Sequence, residues 1–333
     1  MSLLKTIKHL VPALLLPFVC SCTRSGSYIV SDGAMIGTTF HVCAEAENMT
    51  PAQLYAEMMR IESEARASMS IFDENSLLNR LNRNETDSLD LHILRNLTIA
   101  RNIAERIDNR YDITVKPLTE AFGFAASKAV ARPDTDSLLA FVGYDKWRIE
   151  NGRVVKTDPR VQFDLNSVAK GYTVDMAARM LEEHGSKNYL VEIGGEVRCR
   201  GVNRSGEMWT IGIDAPYDGN ISPGADMCGA VMLGDKSLAT SGNYRRFHID
   251  GEGRKIVHTI DPRTGHGIES RLLSATVVAA TCAEADALAT MFMAVGADDA
   301  LALAERMRDT VGVFFILDRD GEYEFFNTID NPQ

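Results

Sequence analysis

The chain has 333 residues, 45% of them hydrophobic and 24% charged, which is the composition of an ordinary globular protein able to bury a sizeable core. A formal net charge of −11 argues against nonspecific binding to nucleic acid, and an anionic substrate would need local cations or a metal. No repeat, low-complexity tract or linker divides the sequence, so one domain is expected.

The first 21 residues read as a secretory leader. Lys5 and Lys8 form a basic start, and Leu10 to Val19 is an apolar run too short to cross a bilayer. Ser21-Cys22 resembles a bacterial lipobox, implying cleavage before Cys22 and lipidation of its thiol. Cys20 is the poorer site because Val19 precedes it, and ordinary signal cleavage leaving Cys22 free is the alternative. The expectation is a lipid-anchored, periplasm-facing protein. Thr23 at the second mature position, rather than Asp, favours the outer membrane over the inner. Residues 22–31 then form a tether, and 32–330 the folded domain.

Ala34 to Val42 reads as a strand interrupted at Gly37. Thr50-Pro51 is a helix start, followed by Leu54, Met58, Ile61 and Ala65 at helical spacing. A short helix carries Leu77, Leu78 and Leu81, and a longer one runs from about Asp90 to Ile107. Asn151-Gly152 predicts a hairpin within Trp147 to Val155. Val168 to His184 is a helix stopped by Gly185, leading into the strand Tyr189 to Ile193. Short strands dominate thereafter, among them Leu272 to Ala279. An apolar helix follows, then one near Asp298 to Arg308, and a final hairpin turning at Asp320-Gly321. Helices and strands mix without a βαβ rhythm, so the expected class is α+β, as a single large mixed domain. Beyond Cys22, Cys43, Cys199, Cys228 and Cys282 match no zinc or redox spacing. Buried free thiols are expected of them, although an oxidising compartment would permit disulfides.

Three segments carry chemistry. Asp286 and Thr290 stand four apart on the Ala-rich apolar helix and so project from one face into the interior. Two hard oxygens at that spacing suit Mg²⁺ or Ca²⁺; the other reading is an ion pair with Arg or a cap on neighbouring backbone. Asp164 to Tyr172 lies where a strand hands over to a helix. Helix-start N–H groups with Lys170 in the first turn suit an anion, and Ser167 is a cap or a metal ligand. His258 to Gly265 runs from a strand into a turn preset by Pro262 and Gly265, placing His258 and Asp261 near a strand end. A Ser241–His258–Asp hydrolase is disfavoured, because no Gly-x-Ser-x-Gly elbow is present.

The order of the motifs adds a resemblance. Met35-Ile36-Gly37-Thr38, Met69 to Phe72, Tyr111 to Val115, Phe122-Gly123-Phe124 and Asp164 to Tyr172 come first. Ile193 to Glu196, Thr240-Ser241-Gly242, His258 to Gly265 and Asp286 to Thr290 follow. Together they resemble the FAD:protein FMN transferase family, the ApbE-type flavin transferases, over essentially the whole mature chain. The resemblance implies a Mg²⁺-dependent enzyme that splits FAD, joins its FMN half to a Thr or Ser hydroxyl of an acceptor flavoprotein (for example a subunit of a membrane redox complex) and releases AMP. It implies that Asp286, Thr290 and Ser167 ligate the metal. It places Met35, Phe72, Phe122, Gly123, Phe124, Asp164, Lys170, His258 and Ile260 at FAD, with His258 and Asp286 catalytic. Phe72 stands where the family often has Tyr, and Ile113 and Lys116 where it often has Pro and Gly. FAD hydrolysis to FMN and AMP is therefore kept as the alternative, and a flavin-binding lipoprotein without catalysis as a more distant one.

Overall fold

The computed structural model describes residues 27–107, 110–124, 133–217, 220, 224–244, 247–249, 255–268 and 270–329; Cys22 and the expected leader lie outside them. The described chain opens with a hairpin of β1 (Tyr28–Met35) and β2 (Thr38–Glu45). Where the sequence suggests one strand broken at Gly37, the chain instead reverses. Ile36 and Gly37 both take left-handed backbone, at φ 43° and 79°, as a two-residue hairpin turn requires. Because β1 starts at Tyr28, residues 28–31 belong to the sheet and not to the expected tether.

Helices α1 (Pro51–Met69), α2 (Leu77–Asn82) and α3 (Leu91–Arg106) follow. The start of α1 is a capping box: Gln53 N–H donates to Thr50 Oγ1 at 3.3 Å, and Thr50 N–H donates to Gln53 Oε1 at 2.9 Å. Next come the short helices α4 (Lys116–Ala121) and α5 (Thr135–Leu139), neither of them assigned in the sequence reading. The hairpin β3 (Trp147–Glu150) and β4 (Arg153–Lys156) turns at Asn151-Gly152, as expected, and precedes α6 (Ala169–Glu183). Strands β5 (Tyr189–Ile193), β6 (Glu196–Arg200), β7 (Trp209–Asp214), β8 (Met227–Leu233) and β9 (Ser237–Gly242) lead to the small pair β10 (Phe247–Ile249) and β11 (Lys255–Val257). The chain ends with β12 (Leu272–Ala279), α7 (Cys282–Val295), α8 (Ala297–Met307), β13 (Gly312–Arg319) and β14 (Glu322–Asn327).

Eight of these strands form one sheet in the order β1-β2-β5-β6-β9-β12-β13-β14, and every neighbouring pair is antiparallel. The two-residue side-chain period splits it into two faces. Phe40, Val42, Ala275, Val277, Val313 and Phe315 point into the main core shared with the helices. Their neighbours Cys43, Val278 and Ile316 point the other way, into a second core closed by Trp209, Ile213, Val231 and Leu233 of the β7–β8 ribbon. Helices segregated on one face of an antiparallel sheet make this an α+β domain, as the sequence suggests. Cys43, Cys199, Cys228 and Cys282 are free thiols, and all but Cys228 are buried.

α7 is the axis of the helical layer: every residue in it except Glu284 and Thr290 is buried. Alanines on α7 let α6 approach closely, and Gly171 completes the approach. A Cβ on Gly171 would stand 2.3 Å from the Cys282 carbonyl oxygen and 2.8 Å from Asp286 Cβ. Gly171→Ala is expected to cost about 1–3 kcal/mol by overpacking, read as a lower thermal midpoint.

Candidate active site

The crossing of α6 and α7 is held by two carboxylates, each capping the other helix. Asp175 on α6 accepts the Cys282 and Ala283 N–H groups at 3.0 and 2.9 Å, satisfying the start of α7. Asp286 on α7 returns the contact, its Oδ2 accepting the Gly171 N–H at 2.9 Å in the first turn of α6, whose own N-cap Val168 supplies no side-chain acceptor. Asp286 thus caps backbone, and among the described residues it has no Arg partner. The cap occupies one oxygen, Oδ2, and leaves metal ligation open at the other.

Burial raises the Asp286 pKa, while the Lys170 charge and the Gly171 N–H act to lower it. Lys170 itself is held above its ordinary value: burial works against its charge, and Glu196 and Asp286 outweigh that. Its ammonium pairs with Glu196, at the first position of β6. Thr290 Oγ1 lies 3.2 Å from Ser241 Oγ, and Ser167 Oγ lies 2.8 Å from the Tyr111 hydroxyl. Burial raises the Tyr111 pKa, so that phenol stays protonated. Ser241 thus pairs with Thr290 across the site.

A second wall comes from α4 and the segment after β11. α4 ends in a Schellman motif: Gly123 at φ 81° donates to the Glu120 carbonyl at 3.0 Å, and Phe124 N–H to the Thr119 carbonyl at 2.9 Å. This motif splays the two aromatic rings. Phe122 meets His266 edge-on at 6.5 Å between centroids, and Phe124 meets His258 at 6.2 Å. Ile260 is buried with Leu118 and Val142 beneath them. Asp261 binds its own turn and Arg263, whose Nη2 lies 2.9 Å away. Asp164 joins the two walls: its N–H donates to the Ile113 carbonyl at 2.7 Å, and its carboxylate receives Asn166 N–H at 2.9 Å and Thr119 Oγ1 at 3.4 Å. Lys116, whose direction the sequence leaves open, is buried against Glu120 and Gln162.

Met35 is buried in the main core beside the Ile36-Gly37 turn, and Phe72 is 60% exposed after α1. The fold thus gathers Ser167, Lys170, Asp286 and Thr290 at the helix crossing and Phe122, Phe124, His258 and Ile260 on the second wall. Glu196, Asp175 and Tyr111 were not assigned roles from sequence. Glu196 directly after Gly194-Gly195, and Asp175 one turn beyond Gly171, were the only signals available. Among the described residues no three His, Cys, Asp or Glu side chains are arranged to hold a metal. A cation at Asp286 would therefore rely on one carboxylate, hydroxyls and ligand oxygens, a donor set that suits Mg²⁺ with phosphates.

This combination, an eight-stranded antiparallel sheet carrying a carboxylate and hydroxyls at a helix crossing, has close relatives. The ApbE family model matches residues 36–315, and the chain belongs to that family. It is 32% identical to the FAD:protein FMN transferase of Haemophilus influenzae over 337 aligned positions, covering 96% of this chain and 95% of the relative. The enzyme of the same name from Vibrio cholerae is also 32% identical, over 94% and 95%. Among solved structures, the flavin transferase ApbE from Vibrio cholerae superposes with TM-score 0.79 at 30% identity, covering 90% of this chain and 97% of that one. The apo flavinyl transferase ApbE of Pseudomonas stutzeri gives 0.79 at 27%, covering 90% and 94%.

Asp112 supplies a pH test of this wall. Its Oδ1 receives Thr114 N–H at 2.8 Å, its Oδ2 is buried without a partner, and burial pushes its pKa from 3.8 up to about 6. The folded chain therefore holds a proton that the unfolded chain has lost, and stability from this group falls as pH rises between those values. Wild type is expected to lose on the order of 2–3 kcal/mol across that window from this group, a slope that Asp112→Asn removes in thermal melts.

Proposed function

We propose that the protein is an FAD:protein FMN transferase that joins the FMN half of FAD, through a phosphoester bond, to a Thr or Ser hydroxyl of an acceptor flavoprotein and releases AMP in a Mg²⁺-dependent reaction. The observation that carries this reading is the end-to-end likeness to curated FAD:protein FMN transferases. The chemistry at the crossing of α6 and α7 agrees with it. The acceptor oxygen attacks the phosphorus of the FMN half, the bond from that phosphorus to the bridging oxygen breaks, and the bridging oxygen leaves on AMP. His258, half-buried beside Phe124, takes the proton of the attacking hydroxyl.

Asp286, Thr290 and Ser167 would hold Mg²⁺, which when bound neutralises pyrophosphate charge and fixes an in-line geometry. Lys170 adds a cation at the start of α6, where the positive end of the helix dipole also favours phosphate. Phe122 and Phe124, backed by buried Ile260, offer apolar surface to the flavin, and Phe72 sits exposed where an acceptor can reach it. Met35, Gly123 and Asp164 complete the proposed FAD contacts. Since water is always abundant, transfer requires that it be excluded and the acceptor hydroxyl held in line, positioning worth roughly 7–11 kcal/mol.

Incubating the protein with FAD, Mg²⁺ and a flavoprotein domain is expected to give a covalently fluorescent acceptor band on a denaturing gel, with little AMP formed when the acceptor is absent. Fast release of AMP and FMN that an acceptor leaves unchanged would reassign the enzyme as an FAD pyrophosphatase. Asp286→Asn keeps an oxygen for the Gly171 N–H, so it is expected to keep the thermal midpoint while losing Mg²⁺-dependent turnover by at least about 100-fold.

We further propose that the mature protein begins at Cys22 and is anchored by lipid on the periplasmic side, in the outer membrane, a reading supported by the apolar run before Ser21-Cys22 and by Thr23 at the second mature position. Among the described residues no helix is long and apolar enough to cross a membrane. Cys22→Ser is expected to move the protein from the membrane to the soluble fraction with its melting curve intact. Wild-type protein already found soluble would contradict the anchor.

A further inference from the structure

Glu196 is 1% exposed at the start of β6, yet only one of its carboxylate oxygens is used. Oε1 takes the Lys170 ammonium, while Oε2 is buried with no partner. A half-satisfied buried carboxylate costs stability, so packing alone does not account for it. Its surroundings are specific. The Lys170 ammonium feels three carboxylates, Glu196 by contact and Asp286 and Glu192 through space. Burial and the Asp286 charge push the Glu196 carboxyl up to about 8, with Lys170 pulling it back. Gly194, at φ 61°, lets the lysine stem pass close to the β5–β6 turn: a Cβ there would stand 2.7 Å from Thr38 Cγ2 and 3.3 Å from Lys170 Cδ.

We propose that Glu196 is a positioning residue that holds the Lys170 ammonium against β6 and so prevents it from closing on Asp286, leaving that carboxylate open to a divalent cation. This rests on the reading of Asp286 as a metal ligand. Without Glu196, the carboxylate that acts most strongly on the ammonium is Asp286, ahead of Glu192, and an ammonium seated there competes directly with the metal. In a partly buried site such a pair is screened far less than in water.

The test is calorimetric titration of Mg²⁺ into the full-length protein without FAD. Glu196→Gln is expected to weaken Mg²⁺ binding by at least about tenfold, as loss of residues behind a metal site commonly does. Adding Lys170→Met to that variant is expected to restore wild-type affinity, because the competing ammonium is gone. A merely structural role for Glu196 would lower the melting temperature and would not be rescued by removing the lysine. Lys170→Met alone, which does not depend on Glu196→Gln folding, is expected to bind Mg²⁺ at least as tightly as wild type. Equal Mg²⁺ affinity in wild type and Glu196→Gln, or weaker binding in Lys170→Met alone, overturns the proposal. Failure of the wild type to bind Mg²⁺ at all would instead remove the metal-ligand reading of Asp286, and this inference with it.

Discussion

The rest of the site depends on the mutual capping of α6 and α7. Each helix has a carboxylate one turn from the point of contact, and each carboxylate accepts backbone N–H groups at the start of the other helix. Buried helix starts need such acceptors, because an unpaired N–H away from water costs about as much as a lost hydrogen bond. The arrangement also demands a residue without a side chain at the crossing, which is why Gly171 stands in the middle of it. Once the two helices are locked in this way, Lys170, Asp286 and Thr290 have little freedom to move relative to one another.

Burying Asp175, Asp286, Glu196 and Lys170 together is unfavourable unless their charges and hydrogen bonds offset one another. Asp175 is fully served by two N–H groups and by Arg198, whose Nη1 lies 2.7 Å away. Glu196 and Asp286 are served only in part. Of the under-satisfied carboxylates, Asp286 is the one proposed to meet a cation, and Glu196 is the one that holds Lys170. A core that tolerates incomplete pairing at one spot commonly does so for function.

Local signals in the sequence were good guides to local structure. The Asn151-Gly152 and Asp320-Gly321 turns and the Thr50-Pro51 cap formed as their chemistry requires, because each is decided by a few adjacent residues. Ile36-Gly37 misled for the same reason in reverse. A β-branched residue at positive φ is unfavourable alone, and only strand pairing on both sides of the turn holds Ile36 there. Tyr28 to Ser31 were read as part of a tether although Ile29 and Val30 suit a strand, because the partner β2 that makes them the edge of the sheet is not revealed by the local pattern.

By itself the sequence determined the class of fold, the family, and the residue types at the site, since apolar periodicity, turn chemistry and ordered motifs are all written in one dimension. It also marked Asp286 and Thr290 as facing one way, which helical geometry alone guarantees. What the carboxylates do to one another was decided only by the tertiary structure. Asp175 and Asp286 lie 111 positions apart, and Lys170 and Glu196 lie on different kinds of element; their meeting depends on how closely α6 and α7 can pack against the sheet. Hydrogen bonding and charge act over a few ångströms in space, and no local pattern in the chain encodes that distance.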